Sequence, residues 1–234
     1  MAVSLPTNAA SQRVMLKAGL VYERGITLSG VPHVLFRTAP VPQLRRATPA
    51  DLPGIEALIA RSSRGLSAGY YTPEQIGSLL RFVFGADSQL ITDGTYFVCE
   101  AGDGLVAAGG WSKRRTLFGG DQMKGADDPL LNPDREAARI RAFFVRPDRA
   151  RQGLGRRLFE ECAAAARAAG FRELALVATL PGEPLYQALG FHITERFSLQ
   201  LPDGVEVPVS HMTRALEAEP QPGPPRLLRS GRSP

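Results

Sequence analysis

The 234-residue sequence predicts a mixed α/β (α+β) domain in which helices flank a central, mainly antiparallel sheet. Three observations carry that expectation. Two helix-start signatures each precede an amphipathic run, several short strand-like runs are separated by turn residues, and one strand leads through a glycine turn into a long helical pattern. Hydrophobic residues make up 44% of the chain and charged residues 22%, the balance of a soluble globule rather than a disordered chain.

Thr48-Pro49-Ala50-Asp51 combines a capping hydroxyl, proline at the first helical position and an acid three residues after the cap. A helix is expected from there to about Arg61, with Leu52, Ile55, Leu58 and Ile59 on one face. Thr72-Pro73-Glu74-Gln75 opens a second helix carrying Ile76, Leu79, Leu80 and Phe82, and Ser62 to Tyr71 reads as the loop between the two. Residues 94–101 and 105–112 pair as a hairpin around Gly102-Asp103-Gly104. The connection 113–137 has no clear period, and so long a connection is more often functional than idle.

Arg139 to Val145 is a strand stopped by Arg146-Pro147-Asp148. From Gly153 the pattern turns helical, with Leu154, Leu158, Cys162, Ala165 and Ala169 on one face until Gly170. A strand over 173–179, a short helix around Pro184 to Leu189 and strands near 191–200 and 206–213 follow. After Leu216 a proline-rich basic tail has nothing to bury and is expected to be disordered.

Several classes are disfavoured at this point. No apolar run approaches the length of a bilayer span, and the first twenty residues lack a secretory pattern. Cys99 and Cys162 lie far apart without metal-ligand spacing and read as buried thiols, so no metal is expected. The net charge of +5 comes partly from Arg226, Arg229 and Arg232 in the tail and partly from the segment Arg146 to Arg157. Neither cluster is interleaved with base-stacking aromatics, so nucleic-acid binding ranks last among the readings.

The informative unit is the strand, the turn Arg149-Ala150-Arg151-Gln152-Gly153-Leu154-Gly155-Arg156-Arg157, and the helix. A helix N-terminus presents unpaired N–H groups and a partial positive charge, which attract phosphate. Glycines at 153 and 155 would let a diphosphate approach the backbone, and Arg151, Arg156 and Arg157 add charge. The Gly-Lys-Ser/Thr ending of a P-loop and the three spaced glycines of a dinucleotide fold are both missing. Alone, Gly-x-Gly before a helix is equally a tight turn closing a strand onto a helix.

Taken with its surroundings, this stretch resembles the GNAT superfamily of acyl-CoA-dependent N-acetyltransferases. The resemblance rests on parts in one order: Phe143-Phe144-Val145, the turn 151–156, the helix, Leu176-Val177-Ala178-Thr179, and Leu185-Tyr186-Gln187-Ala188-Leu189-Gly190-Phe191. It covers about residues 43–216. Ala150 departs from the family's Arg or Gln at that position. Thr179 stands where many members carry Asn, before a bend that is bound by prolines.

The resemblance implies acetyl-CoA as cosubstrate and a primary amine, on a small molecule or a peptide, as acceptor. It assigns cofactor contacts to Phe143, Phe144, Val145, Arg151, Gln152, Gly153, Leu154, Gly155, Arg156 and Thr179, with a backbone N–H of 143–145 polarising the thioester carbonyl. Tyr186 matches the family's proton donor to the departing thiolate. Its ordinary pKa near ~10 keeps it protonated at neutral pH. Glu74, Glu100, His192 and His211 are the conceivable bases, and a water relay would serve instead. Acceptor selectivity is expected from Ser62–Tyr71, with Tyr70 and Tyr71, and from Trp111 and the 113–137 connection, where the aromatics serve equally well as packing. A cytoplasmic enzyme, as a monomer or homodimer, fits this reading; a CoA-binding regulatory module without turnover is the alternative.

The front of the chain carries a partial repeat. Asn8 to Arg24, with Ala18-Gly19-Leu20-Val21-Tyr22-Glu23-Arg24, resembles the closing part of a GNAT domain, as Leu189 to Arg196 does later. This front copy is most similar to the ribosomal-protein N-acetyltransferase branch and has no cofactor strand or glycine turn. The expected organisation is a truncated GNAT-like fragment over 1–40, a GNAT domain over 43–216 and a tail over 217–234.

Overall fold

The computed structural model describes residues 1–38, 41–123 and 128–216; the expected basic tail, with Arg226, Arg229 and Arg232, lies outside the described residues. At the front, strand β1 (Ala2–Ser4), helix α1 (Ala9–Lys17), and strands β2 (Leu20–Leu28) and β3 (Val31–Thr38) build an antiparallel sheet in the order β1-β3-β2. Asn8 caps α1 by accepting the Ser11 amide at 3.0 Å. Ser29 and Gly30, with φ of 48° and 79°, make the two-residue turn that twisted hairpin strands favour.

The main domain runs from β4 (Gln43–Arg46) through α2 (Leu52–Leu66), α3 (Pro73–Phe82), α4 (Ser88–Thr92), β5 (Tyr96–Ala101) and β6 (Gly104–Ser112). It continues with β7 (Ala138–Val145), α5 (Leu154–Ala168), β8 (Glu173–Thr179), α6 (Glu183–Ala188), β9 (His192–Gln200) and β10 (Glu206–Ala215). Seven strands form one sheet in the order β4-β5-β6-β7-β8-β10-β9, antiparallel throughout except for the β7–β8 pair.

Both faces of the sheet centre are covered, which explains the unbroken apolar run in β5. Phe97 and Cys99 turn toward α5, where Leu158, Phe159 and Cys162 lie buried, while Tyr96 and Val98 turn toward Ile55, Leu58 and Ile59 of α2. Complete burial of a side chain such as Leu158 contributes about 1.5–3 kcal/mol. The helix starts behave as expected. Asp51 accepts the Thr48 amide at 2.7 Å and a fork from Arg45 at 2.8 Å, and that guanidinium holds its carboxyl well below the usual range. Thr72 and Gln75 exchange reciprocal bonds of 3.0 and 3.1 Å.

One boundary differs from the sequence expectation. The loop predicted to begin at Ser62 begins after Leu66, because α2 continues. Its buried stripe is Ile55, Leu58, Ile59, Ser62 and Ser63, a single helical face whose last two members are hydroxyls rather than hydrocarbons. A hydrophobic-period reading stops where the apolar residues stop. The burial does not.

Strands β7 and β8 pair only at Ala138–Leu174 and Arg139–Ala175. Beyond that point they separate and open a cleft. On its other side β7 stays joined to β6 through a bulge: between the pairs Ala108–Phe144 and Gly110–Arg141, β7 carries one residue more than its partner. Ala142 sits there with φ of 54°, and its carbonyl accepts the Tyr96 hydroxyl at 3.1 Å.

Candidate active site

The cleft holds a cavity of about 570 Å³ lined by β7 from Ile140 to Val145, by Val177 to Thr179, and by the turn preceding α5. Of the residues expected to hold a cofactor, Phe143, Phe144, Val145, Arg151, Gly153, Leu154, Gly155, Arg156 and Thr179 all line it, and so does Tyr186. Gln152 is not brought there. It is exposed, and its amide nitrogen donates to the Asp148 carbonyl at 3.3 Å. Arg157 is also turned away and donates to the Pro42 carbonyl at 2.6 Å.

The two glycines do different work. Gly153 takes φ of 81° in the left-handed region at the start of α5, with open space where a side chain would begin. Gly155 lies inside the helix, where an added Cβ would meet Leu185 of α6 at 3.0 Å, so its smallness serves helix packing rather than ligand approach. The first intrahelical bond runs from the Arg157 amide to the Gly153 carbonyl at 3.0 Å. The amides of Leu154, Gly155 and Arg156 therefore precede the helical ladder, and Arg149, Arg151 and Arg156 surround them on the cavity wall.

Tyr186 is nearly buried, its ring edge-on to Phe143 at 6.3 Å and to Phe191 at 5.7 Å. Among the described residues its hydroxyl has no hydrogen-bond partner. Burial, and secondarily the neighbouring Cys162 thiol, pushes its pKa well above the ordinary tyrosine value. The phenol thus stays protonated across the physiological range. Ser62 reaches the same region from α2, and its hydroxyl accepts the Val145 amide at 3.2 Å.

The conceivable bases do not converge on the cavity. Glu74 is exposed on the first turn of α3, and Glu100 pairs with Arg45 at 2.8 Å on the far edge strand. His192 contacts Thr213 at 3.1 Å, and His211 contacts Thr194 at 2.7 Å, both on the β9–β10 hairpin. Tyr70 lines the cavity, whereas Tyr71 turns inward, donating to the Pro208 carbonyl at 2.7 Å and accepting the Leu180 amide at 2.9 Å. Burial pushes the Tyr71 hydroxyl up to about 12. Trp111 is a packing residue, edge-on to Phe171 at 6.0 Å in the core. From the long connection, Leu117 to Gly120 reach the cavity.

Two charged arrangements had no sequence signal. Arg141 is buried and paired with Asp87 at 2.9 Å, with the Gly119 carbonyl also accepting from it. Glu183, at the first turn of α6, accepts from Ser210 at 2.5 Å and from Arg196 at 2.7 and 3.1 Å. Both join residues distant in sequence, so no local motif could reveal them. Among the described residues no cluster of His, Cys, Asp and Glu could hold a metal ion, and no helix is long and apolar enough to cross a membrane.

Residues 92–193 match the family model described as the acetyltransferase (GNAT) domain. The chain is similar in fold to a GCN5-related N-acetyltransferase from Rhodopseudomonas palustris, at 18% identity and a TM-score of 0.56, over 77% of this chain and 99% of that one. YncA of Salmonella typhimurium, solved with acetyl-CoA, aligns at 17% identity and a TM-score of 0.51, over 77% and 97%. The PaiA N-acetyltransferase of Thermoplasma acidophilum, solved with coenzyme A, aligns at 14% identity and a TM-score of 0.50, over 74% and 98%. No curated protein matches the chain in sequence.

Proposed function

We propose that the protein is an N-acetyltransferase that moves an acetyl group from acetyl-CoA to a primary amine in a ternary complex. The observation that carries the reading is the lining of one cavity by Phe143–Val145, the amides opening α5 and the unpartnered Tyr186 hydroxyl. Acetyl-CoA supplies the thioester, and the chain's residues supply position, charge and a proton. The α5 amides with Arg149, Arg151 and Arg156 suit a diphosphate. The β8-facing edge of β7, unpaired beyond Arg139, suits an extended pantetheine arm bound like an added strand.

In the transfer, the amine nitrogen bonds to the thioester carbon, the carbon–sulfur bond breaks and the nitrogen loses a proton. A backbone N–H of 143–145 polarises the carbonyl. Because the Val145 amide is engaged by Ser62, the amides of Phe143 and Phe144 are the better candidates. Tyr186 donates to the leaving sulfur. A thiol is a stronger acid than this phenol, so the donation runs together with loss of the nitrogen proton, which becomes acidic as the new bond forms and passes through water to restore the Tyr186 phenol. The test is release of free CoA thiol by the native chain and by Tyr186→Phe. Loss of turnover with retained acetyl-CoA binding supports the assignment. An unchanged rate removes Tyr186 from the mechanism, and acetyl-CoA binding without turnover on any amine leaves a CoA-binding module.

The same reading takes residues 1–38 as the closing part of a second GNAT fold. Its support is a shared path. Strand, helix, strand, strand in the order β1-β3-β2 repeats the order β8-β10-β9, and Gly19 and Gly190 both take positive φ between helix and strand. In each copy the strand four residues past that glycine carries one extra residue, Glu23 in β2 and Thr194 in β9.

A further inference from the structure

The cavity has two chemically different ends. The donor end carries Arg149, Arg151 and Arg156. Away from the α5 turn the wall includes Leu79, Val83 and Phe84 beside Phe118, Leu199 and Val209, with the hydroxyl-bearing Ser63, Ser67 and Tyr70 and the buried guanidinium of Arg141. Among the described residues, every ionisable side chain lining the cavity is an arginine or a tyrosine. The nearby carboxylates are already engaged, Asp87 by Arg141 at 2.9 Å and Glu183 by Ser210 and Arg196.

We infer that this end selects a weakly basic primary amine borne on an apolar body and discriminates against polycationic amines. The inference rests on the acetyl-transfer reading and deepens it. An ammonium entering here would lose its water beside guanidinium groups with no carboxylate to receive it, an uncompensated burial of charge. Nor does any side chain on the wall relieve it of its proton, so the acceptor must arrive as the free base. An alkylamine with a lysine-like pKa of about 10.4 is unprotonated in roughly one molecule per thousand at pH 7.4, and an amine in the α-amino range near 7.8 in roughly one of four. The body of the acceptor then meets hydrocarbon. Each methylene buried against it contributes roughly a fourfold gain in affinity.

Four probes separate the two requirements on the full chain loaded with acetyl-CoA at pH 7.5. Phenylalaninamide has a weakly basic amine on an apolar body, phenethylamine a similar body with a strongly basic amine, glycinamide a weakly basic amine without the body, and spermidine neither feature. Thiol release gives kcat/KM, and calorimetry gives binding independently of turnover. Phenylalaninamide should exceed phenethylamine and glycinamide by at least tenfold each and spermidine by more than a hundredfold. The phenethylamine rate should climb about tenfold per pH unit from 7 to 9, following its own free base.

Leu199→Glu, on the half-buried hairpin wall, should move the phenylalaninamide-to-spermidine ratio toward spermidine by at least tenfold while acetyl-CoA affinity holds. Spermidine binding as tightly as phenylalaninamide, or glycinamide matching it, overturns the inference whether or not either is acetylated. Phenylalaninamide bound selectively but never acetylated leaves the inference standing and sinks the transferase reading instead.

Discussion

The two β-α-β-β units of this chain follow one path and meet opposite fates. In the later unit, β8 has β7 on one side and β10 on the other, and its helix buries Glu183 and Tyr186. In the front unit β1 is an edge strand of three residues, and α1 buries none of its side chains. Aligned on their glycines, Met15 stands at the place of Tyr186, and Leu20, only partly buried, at the place of buried Phe191. Val3, Leu5, Val14, Leu16 and Tyr22 remain exposed. A shared turn and a shared bulge therefore specify the path of such a unit but not its core.

Several experiments would break or sharpen that contrast. The largest effect is expected from writing the front unit's residue into the later one. Tyr186→Met should lower kcat by about 10²–10⁴-fold, the range of a lost general acid, with acetyl-CoA affinity kept, while Met15→Tyr changes neither. Equal kcat in Tyr186→Met and the native chain would sink the functional side of the contrast. Next comes Phe191→Ala, which empties a site among Phe159, Tyr186 and the α5 face and should cost about 3–5 kcal/mol in urea unfolding. Leu20→Ala should cost less than about 1 kcal/mol, since little contact is lost; similar costs for the two would mean that the front unit is buried as well as its counterpart.

An alkaline titration gives a smaller effect confined to the main domain. Burial raises the Tyr71 hydroxyl to about 12 from an ordinary value near 10, so the folded state holds its proton longer than the unfolded state does. The resulting stability is present below pH 10 and lost as pH rises toward 12, roughly 3 kcal/mol in all. Tyr71→Phe should flatten that part of the stability curve, and an unaltered curve would remove the hydroxyl as its origin. The smallest expected change follows removal of residues 1–38. Acetyl-CoA affinity should stay within about twofold, as for distant independent sites. A large loss would end the reading of the front unit as a remnant.

What could be read from the sequence follows from how local each signal is. The α3 capping box, the glycine turn at 153 and the Leu185–Phe191 stretch each lie within a few consecutive residues, and each forms where expected. Ser62 and Ser63 carry no such local signal, because burial of a hydroxyl leaves no hydrophobic period. Tyr70 and Tyr71 were indistinguishable as neighbours, and only the approach of Pro208 and Leu180 separates the cavity residue from the packed one. Arg141 with Asp87, and Glu183 with Arg196 and Ser210, are partnerships across the fold, invisible to spacing. The parting of β7 from β8 belongs to the same class, since pairing that stops is a property of two strands together.

The extra residue at Ala142 acts like a frameshift within β7. Before it, Ala138 and Ile140 face the α5 layer; after it Phe143 and Val145 do, while Ala142 and Phe144 face α2. The even-numbered positions hand the inner face to the odd-numbered ones in mid-strand. Deleting that single residue would exchange the two faces over the rest of the strand and take Phe143 away from Tyr186, although no residue named in the chemistry had been altered.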